Sequence, residues 1–179
     1  MKLYINPTTY EGLTFRSKLE AEWAAFFDML AIRWAYEPQG FMFHLADEYN
    51  PVHYRPDFYL IDSECFAEIK PTAPSKDEVR KVILLSEKNP VFFLIGHPTN
   101  DMGQIWKYED GKHVDDEHSF THCDTCGQSG ITLQGSLNEL LPCNCGKDAT
   151  GGWTSLKIQD AIRAARAIQD NWKKPQEGK

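Results

Sequence analysis

Positive charge is in short supply in this chain: 19 Lys and Arg residues stand against 26 Asp and Glu, for a net charge of −7. Non-specific affinity for nucleic acid comes from neutralising phosphates, so a chain of this sign has no general attraction for DNA or RNA, and any contact with either must be local. Long apolar runs are missing too. No stretch approaches the ~20 residues a helix needs to cross a bilayer, and no basic-then-apolar leader stands at the N-terminus, which predicts a cytoplasmic protein with no membrane partner. Cysteine is sparse, at five residues, and four of them crowd between Cys123 and Cys145. Such a cluster fits a metal site in a reducing compartment better than a disulfide framework, and Cys65 is left over for burial.

What is present is enough apolar material for one core. At 179 residues and 41% hydrophobic, the chain can bury a single good core with a small appendage. Residues 1–12 have little periodicity and read as a lead-in with a short strand at Lys2 to Ile5. From Phe15 to Leu30, Phe15, Leu19, Trp23, Phe26, Phe27 and Leu30 recur at helical spacing, with Thr14 or Ser17 as the cap. Glu20 and Glu22 fall on opposite flanks of that stripe, and spacing does not choose between them. Ile32 to Tyr36 and Phe41 to Leu45 read as strands, and His44 and His53 beside them read as ordinary core or surface residues.

Further on, Ser75 and Glu78 form a capping box ahead of a helix running to about Lys88. The apolar run Val91 to Ile95 suits a central strand buried on both faces, reached by a parallel crossover. Gln104 to Tyr108 and Lys112 to Val114 flank an acidic turn, Glu109-Asp110-Gly111, and predict a hairpin. Asp115, Asp116 and Glu117 read as a solvated surface that would repel DNA. Thr154 to Trp172 predicts a long helix docking through Ile158, Ala161, Ile162, Ala165, Ile168 and Trp172. Its Arg163 and Arg166, with Lys173 and Lys174, are a basic cluster that reads most simply as a solvated flank.

Chemistry concentrates in Tyr54 to Pro71. Phe58 to Ile61 and Cys65 to Ile69 suit paired strands joined through Asp62, Ser63 and Glu64. A turn centred on Ser63-Glu64 places Asp57 opposite Lys70; one centred on Asp62-Ser63 places it opposite Glu68. Either register gathers Asp57, Glu68 and Lys70 on one face, because side chains alternate along a strand. Converging carboxylates are costly unless a cation uses them, and paired oxygens suit Mg²⁺, or Mn²⁺ in its place. Downstream, Cys123-x-x-Cys126-Gly127 and Cys143-x-Cys145-Gly146 supply two thiolate pairs for Zn²⁺. Four thiolates close the tetrahedron, so that site is structural; His118 or His122 could replace one sulfur.

Pro56-Asp57, ten residues, then Glu68-Ile69-Lys70 resembles the PD-(D/E)XK motif of the restriction-endonuclease-like nucleases. The likeness extends through Tyr10-x-Gly12-x-x-Phe15-Arg16-Ser17-Lys18-Leu19-Glu20, Trp23, Phe27 and Tyr36-Glu37-Pro38, which are similar to small phage-borne members that also carry a ribbon. The resemblance implies a restriction-endonuclease-like mixed β-sheet flanked by helices, with an inserted four-cysteine zinc ribbon. It divides the chain into a nuclease core at 1–118, the ribbon at 119–150, and a C-terminal helix with a frayed tail at 151–179.

For function, the resemblance implies a Mg²⁺-dependent endonuclease that hydrolyses DNA to leave 5′-phosphates. Asp57, Glu68 and the Ile69 carbonyl would hold Mg²⁺, Lys70 would position the attacking water, and Glu20 would complete the site, with Glu22 as the alternative. A branched-DNA resolvase would share that site. A zinc-stabilised binding protein without turnover is the reading outside enzymology. A homodimer, or a larger phage or transposon DNA-processing complex, would be a source of further DNA affinity.

Overall fold

The computed structural model describes residues 7–46, 49–98, 105–133, 145 and 155–173. Two short strands, β1 (Thr8–Tyr10) and β2 (Leu13–Phe15), pair antiparallel with Tyr10 opposite Leu13. Glu11 and Gly12 between them both take positive φ, 47° and 78°, as the tightest hairpin turn requires. The expected lead-in therefore contains a hairpin, and Phe15 ends its second strand instead of starting the helix. Lys2 to Ile5 lie outside the described residues.

Helix α1 (Lys18–Met29) starts one turn later than the apolar periodicity suggests, because Ser17 is its N-cap and accepts from the Glu20 amide at 3.2 Å. Then come β3 (Trp34–Tyr36), β4 (Phe41–Phe43), β5 (Val52–Tyr54), β6 (Phe58–Leu60), β7 (Cys65–Lys70), α2 (Lys76–Ser86) and β8 (Val91–Ile95). The hairpin β9 (Ile105–Glu109) and β10 (Lys112–Val114), a second hairpin β11 (His118–His122) and β12 (Ser129–Leu133), and α3 (Leu156–Lys173) complete the order. The Ser75–Glu78 capping box at the start of α2 has both of its reciprocal bonds. Among the described residues no helix is long and apolar enough to cross a membrane.

The main sheet is mixed, with strand order β10-β9-β8-β7-β6-β3. Only β7 and β8 are parallel, joined through α2 as a crossover; their neighbours run antiparallel. Alternation along these strands builds two cores. Cys65, Ala67 and Ile69 of β7 and Phe92 and Leu94 of β8 face α1, while Phe66, Val91 and Phe93 face α2 and the β4–β5 hairpin. β8 is thus buried on both faces, as its uninterrupted apolar run demands.

Helix α3 lies on α1's side of the sheet, with Ile158, Ala161, Ile162 and Ala165 in the same core. The β11–β12 hairpin joins them there through Phe120 and Ile131. Phe120 lies edge-on to Phe26 at 4.9 Å and tilted against Trp23 at 5.7 Å. Full burial of side chains this large stabilises by roughly 1.5–3 kcal/mol each. The cysteine-bearing segment is consequently tied to the sheet by its first strand pair.

Candidate active site and metal centre

Leu60 pairs with Cys65 and Phe58 with Ala67, so the loop is Ile61 to Glu64 and its centre falls between Asp62 and Ser63. Arg33 grips that loop, its Nε donating to Asp62 Oδ1 at 2.9 Å and Oδ2 at 3.1 Å. Continued one residue, the register sets Asp57 opposite Glu68, the second of the two arrangements open to the sequence. Asp57 leaves only 2% of its surface exposed and Glu68 7%. The Ile69 amide donates to Asp57 Oδ2 at 2.7 Å, so the carboxylate is locked to the β7 backbone.

Each remaining carboxylate oxygen of this cluster has its own donor. Arg16 Nη2 bonds Asp57 Oδ1 at 2.5 Å, while its Nε pairs with Glu37 Oε1 at 2.7 Å. Lys70 Nζ lies 3.0 Å from Glu68 Oε1 and 2.7 Å from Glu78 Oε1 on α2, and the Tyr54 hydroxyl donates to Glu68 Oε2 at 2.9 Å. Glu20, in the first turn of α1, accepts from Ser17 Oγ at 2.8 Å and from the Tyr36 hydroxyl at 2.5 Å. Glu22 turns to the other flank, where its Oε2 meets His97 Nδ1.

The electrostatics are those of a crowded acid cluster. Burial, then the charges of Glu68 and Glu20, push the Asp57 carboxyl well above the ordinary carboxylate range, against the opposing Ile69 amide and Arg16. Glu20 therefore belongs to the same electrostatic group as Asp57 and Glu68. Burial works against a charged Lys70, but Glu68 and Glu78 outweigh it and its pKa is raised. Glu78 shows the reverse balance: burial opposes ionisation, yet the Lys70 and Ser75 bonds bring it down to about 2.

Two loops close this end of the sheet. Gly96, at a φ of 76° that suits glycine, turns the chain off β8; its amide donates to the Lys70 carbonyl at 2.7 Å, and its own carbonyl accepts from Trp23 Nε1 at 3.0 Å. The Glu37 amide donates to the Asp57 carbonyl at 2.8 Å. Along one edge, from β8 to β3, the row is His97 with Glu22, Lys70 with Glu68, Asp57 with Arg16, and Tyr36 with Glu20. Among the supporting residues Glu78 was legible only as half of a capping box, and neither Tyr54 nor His97 was given a role, because each finds its partner on another element. Arg16 and Tyr36 belong to the segments that carry the nuclease resemblance, yet neither spacing nor motif gave them a role.

Cys123, Cys126 and Cys145 bring their sulfurs within 4.8 Å of one another. Cys123 is buried at the end of β11, and its amide and carbonyl bond Gln128 O and Gly127 N, both at 2.7 Å, which forms the tight knuckle. A zinc tetrahedron with bonds of about 2.3 Å separates its sulfurs by about 3.8 Å, so these three thiols could hold a metal such as zinc. Hydrogen bonding to Cys126, then desolvation and the Cys123 thiol, push the Cys145 thiol up to about 12. Cys143 lies outside the described residues. His118 turns its Nδ1 to the Asp116 carbonyl at 2.9 Å, and His122 turns its own to Ser129 Oγ at 2.9 Å, so neither joins the sulfur group.

Arg163 and Arg166 on α3 are exposed, as are Asp115, Asp116 and Glu117. No family model, curated protein or solved structure matches this chain.

Proposed function

We propose that the chain is a metal-dependent endonuclease of the restriction-endonuclease-like, PD-(D/E)XK type, hydrolysing DNA phosphodiester bonds to leave 5′-phosphates. The observation that carries this reading is the β6–β7 register, which sets two buried carboxylates side by side with a lysine two residues on. The donor set suits a hard divalent cation, since it is made of carboxylate and backbone carbonyl oxygens. Asp57, Glu68 and the Ile69 carbonyl would hold Mg²⁺, or Mn²⁺, with Glu20 completing the group. Bound there, the ion would supply an ionised water and charge neutralisation at phosphorus.

The chain's own residues do the positioning. Lys70 spends two N–H groups on Glu68 and Glu78 and has a third to offer to water or to a phosphate oxygen. Tyr54 and the Ile69 amide fix the two carboxylates so that neither reorients as charge develops. Cys143 would complete a closed four-sulfur zinc site with Cys123, Cys126 and Cys145, and that site is structural.

The test is cleavage of single-stranded, duplex, nicked and four-way-junction DNA with Mg²⁺, Mn²⁺ or EDTA, wild type beside Lys70→Ala. Metal-dependent cutting that falls about 10²–10³-fold in the variant supports the reading, the loss typical of one charge-stabilising donor. A folded, zinc-loaded wild type that cuts none of the four would overturn it in favour of a binding protein.

A further inference from the structure

One carboxylate beside Lys70 lies outside the proposed metal group and on a different element. Glu78 is the third residue of α2, whose N-cap is Ser75. Its Oε2 accepts from the Ser75 amide and from the Ser75 hydroxyl, both at 2.7 Å, and its own amide donates back to Ser75 Oγ at 3.3 Å. Its other oxygen, Oε1, lies 2.7 Å from Lys70 Nζ. A single side chain therefore caps a helix and fixes an ammonium.

The cap alone does not call for a charge, since glutamine completes a capping box as glutamate does. An acid in the first turn also suits the helix dipole, but Asp77 already supplies one. What Glu78 adds is a partner for Lys70. Lysine is a point charge on a flexible four-carbon stem, so its place is set by whatever holds the ammonium. Two carboxylates hold it, through Glu68 Oε1 at 3.0 Å and Glu78 Oε1. Glu68 belongs to the group that would take the metal, and a divalent cation against it competes with the ammonium for the same charge. Glu78 stands apart from that group, and α2 is anchored behind it by Val82 and Leu85, each 1% exposed in the second core. Pro71 and Pro74 restrict the connection between Lys70 and the cap.

We propose that Glu78 is the positioning residue for Lys70, holding the ammonium in place for the attacking water or the phosphate through the N-terminal cap of α2. This rests on the nuclease reading and extends the site from the sheet to the crossover helix. Glu68 brings the lysine to the carboxylate group, and Glu78 keeps it there when Glu68 turns to the cation.

The experiment compares wild type with Glu78→Gln, which keeps the capping oxygen and removes the charge, and with Val82→Ala, which loosens α2 without touching Lys70. In the metal-free protein, ¹⁵N relaxation of the Lys70 ammonium, assigned by its loss in Lys70→Ala, should show reduced order in Glu78→Gln and wild-type order in Val82→Ala. In Mg²⁺, on the DNA form the wild type cuts best, Glu78→Gln should lower kcat about 10–100-fold with KM within about two-fold. A misplacement of about 1 Å can cost 10²-fold, and lost positioning acts on the chemistry rather than on binding. Val82→Ala should lower Tm more than Glu78→Gln does, yet keep kcat within about two-fold. If Glu78→Gln keeps the wild-type ammonium order and kcat while cutting still depends on Lys70, the Glu78 assignment falls and the nuclease stands. A Val82→Ala protein that loses as much kcat as Glu78→Gln also overturns it, since α2 would then act as a mere support. A folded wild type that cuts no DNA removes the nuclease reading and this role with it, even where Glu78 still orders the ammonium.

Discussion

Arg16→Met should destabilise the metal-free protein and, at the same time, make it more responsive to Mg²⁺. The guanidinium is bonded to Asp57, whose side chain is 3% exposed, and to Glu37; methionine keeps the aliphatic stem and removes the charge. Breaking a fully buried pair from one side costs about 3–5 kcal/mol. The Arg16 side chain is 52% exposed, however, so water screens much of that, and about 1–2 kcal/mol is the better expectation. At this chain length that lowers Tm by roughly 2–8 °C.

The same guanidinium occupies the Asp57 oxygen a cation would need, so its removal opens the position. Mg²⁺ at ten times its Kd would then return about 1.4 kcal/mol, and the return should be larger in the variant than in the wild type. The sign with pH follows from Asp57. Its folded-state pKa is raised, so its contribution is complete below the unfolded value near ~3.9 and is lost as pH rises through the folded one. The metal-free protein should lose stability over that rise, and Mg²⁺ should help more at neutral pH than at pH ~4. Thermal melts with and without Mg²⁺, in zinc-replete buffer, measure all of this. A variant that melts like the wild type, with Mg²⁺ moving neither, would refute the idea that Arg16 stands in for a cation.

Phe120→Ala removes a ring packed against Trp23, Phe26 and Phe27 and should cost about 3–5 kcal/mol in urea unfolding, as for a core aromatic. A cost under about 1 kcal/mol would mean that the β11–β12 hairpin is a detachable appendage. Cys145→Ser should abolish retention of zinc through gel filtration, measured by elemental analysis, and lower Tm with it. Full zinc retention in that variant would show that the sulfur cluster is not the metal centre.

What the sequence disclosed was set by how local the determining contacts are. The Ser75–Glu78 capping box, the Asp110-Gly111 hairpin and the doubly buried Val91–Ile95 strand are each fixed by a few neighbouring residues, and each is present. Three-residue strands such as β1, β2 and β5 have little period to read: β1 and most of β5 passed as lead-in or loop, and the end of β2 as the start of the helix. The Asp57–Glu68 pairing needed one choice of turn centre, which spacing within the segment left open; the loop's Asp62 meets its partner, Arg33, 29 residues away. The cysteine spacing announced a knuckle, but nothing in it says that Phe120, three residues earlier, belongs to the α1 core.

The acid cluster shows why the supporting residues decide the chemistry. Asp57, Glu68 and Glu20 present six oxygens, and every one has a donor: Arg16 and the Ile69 amide, Lys70 and Tyr54, Ser17 and Tyr36. A hydroxyl or an amide satisfies a lone pair but carries no net charge. Only Arg16 and Lys70 do, and each is drawn off by a further carboxylate, Glu37 and Glu78. The cluster is therefore saturated in hydrogen bonds, yet burial first, and then the charges of Glu68 and Glu20, still push Asp57 upward. More neutral hydrogen-bond donors would not offset those carboxylate charges; on the proposed reading a divalent cation would. On the proposed nuclease reading, this is the group of carboxylates that would hold a divalent cation against a phosphate.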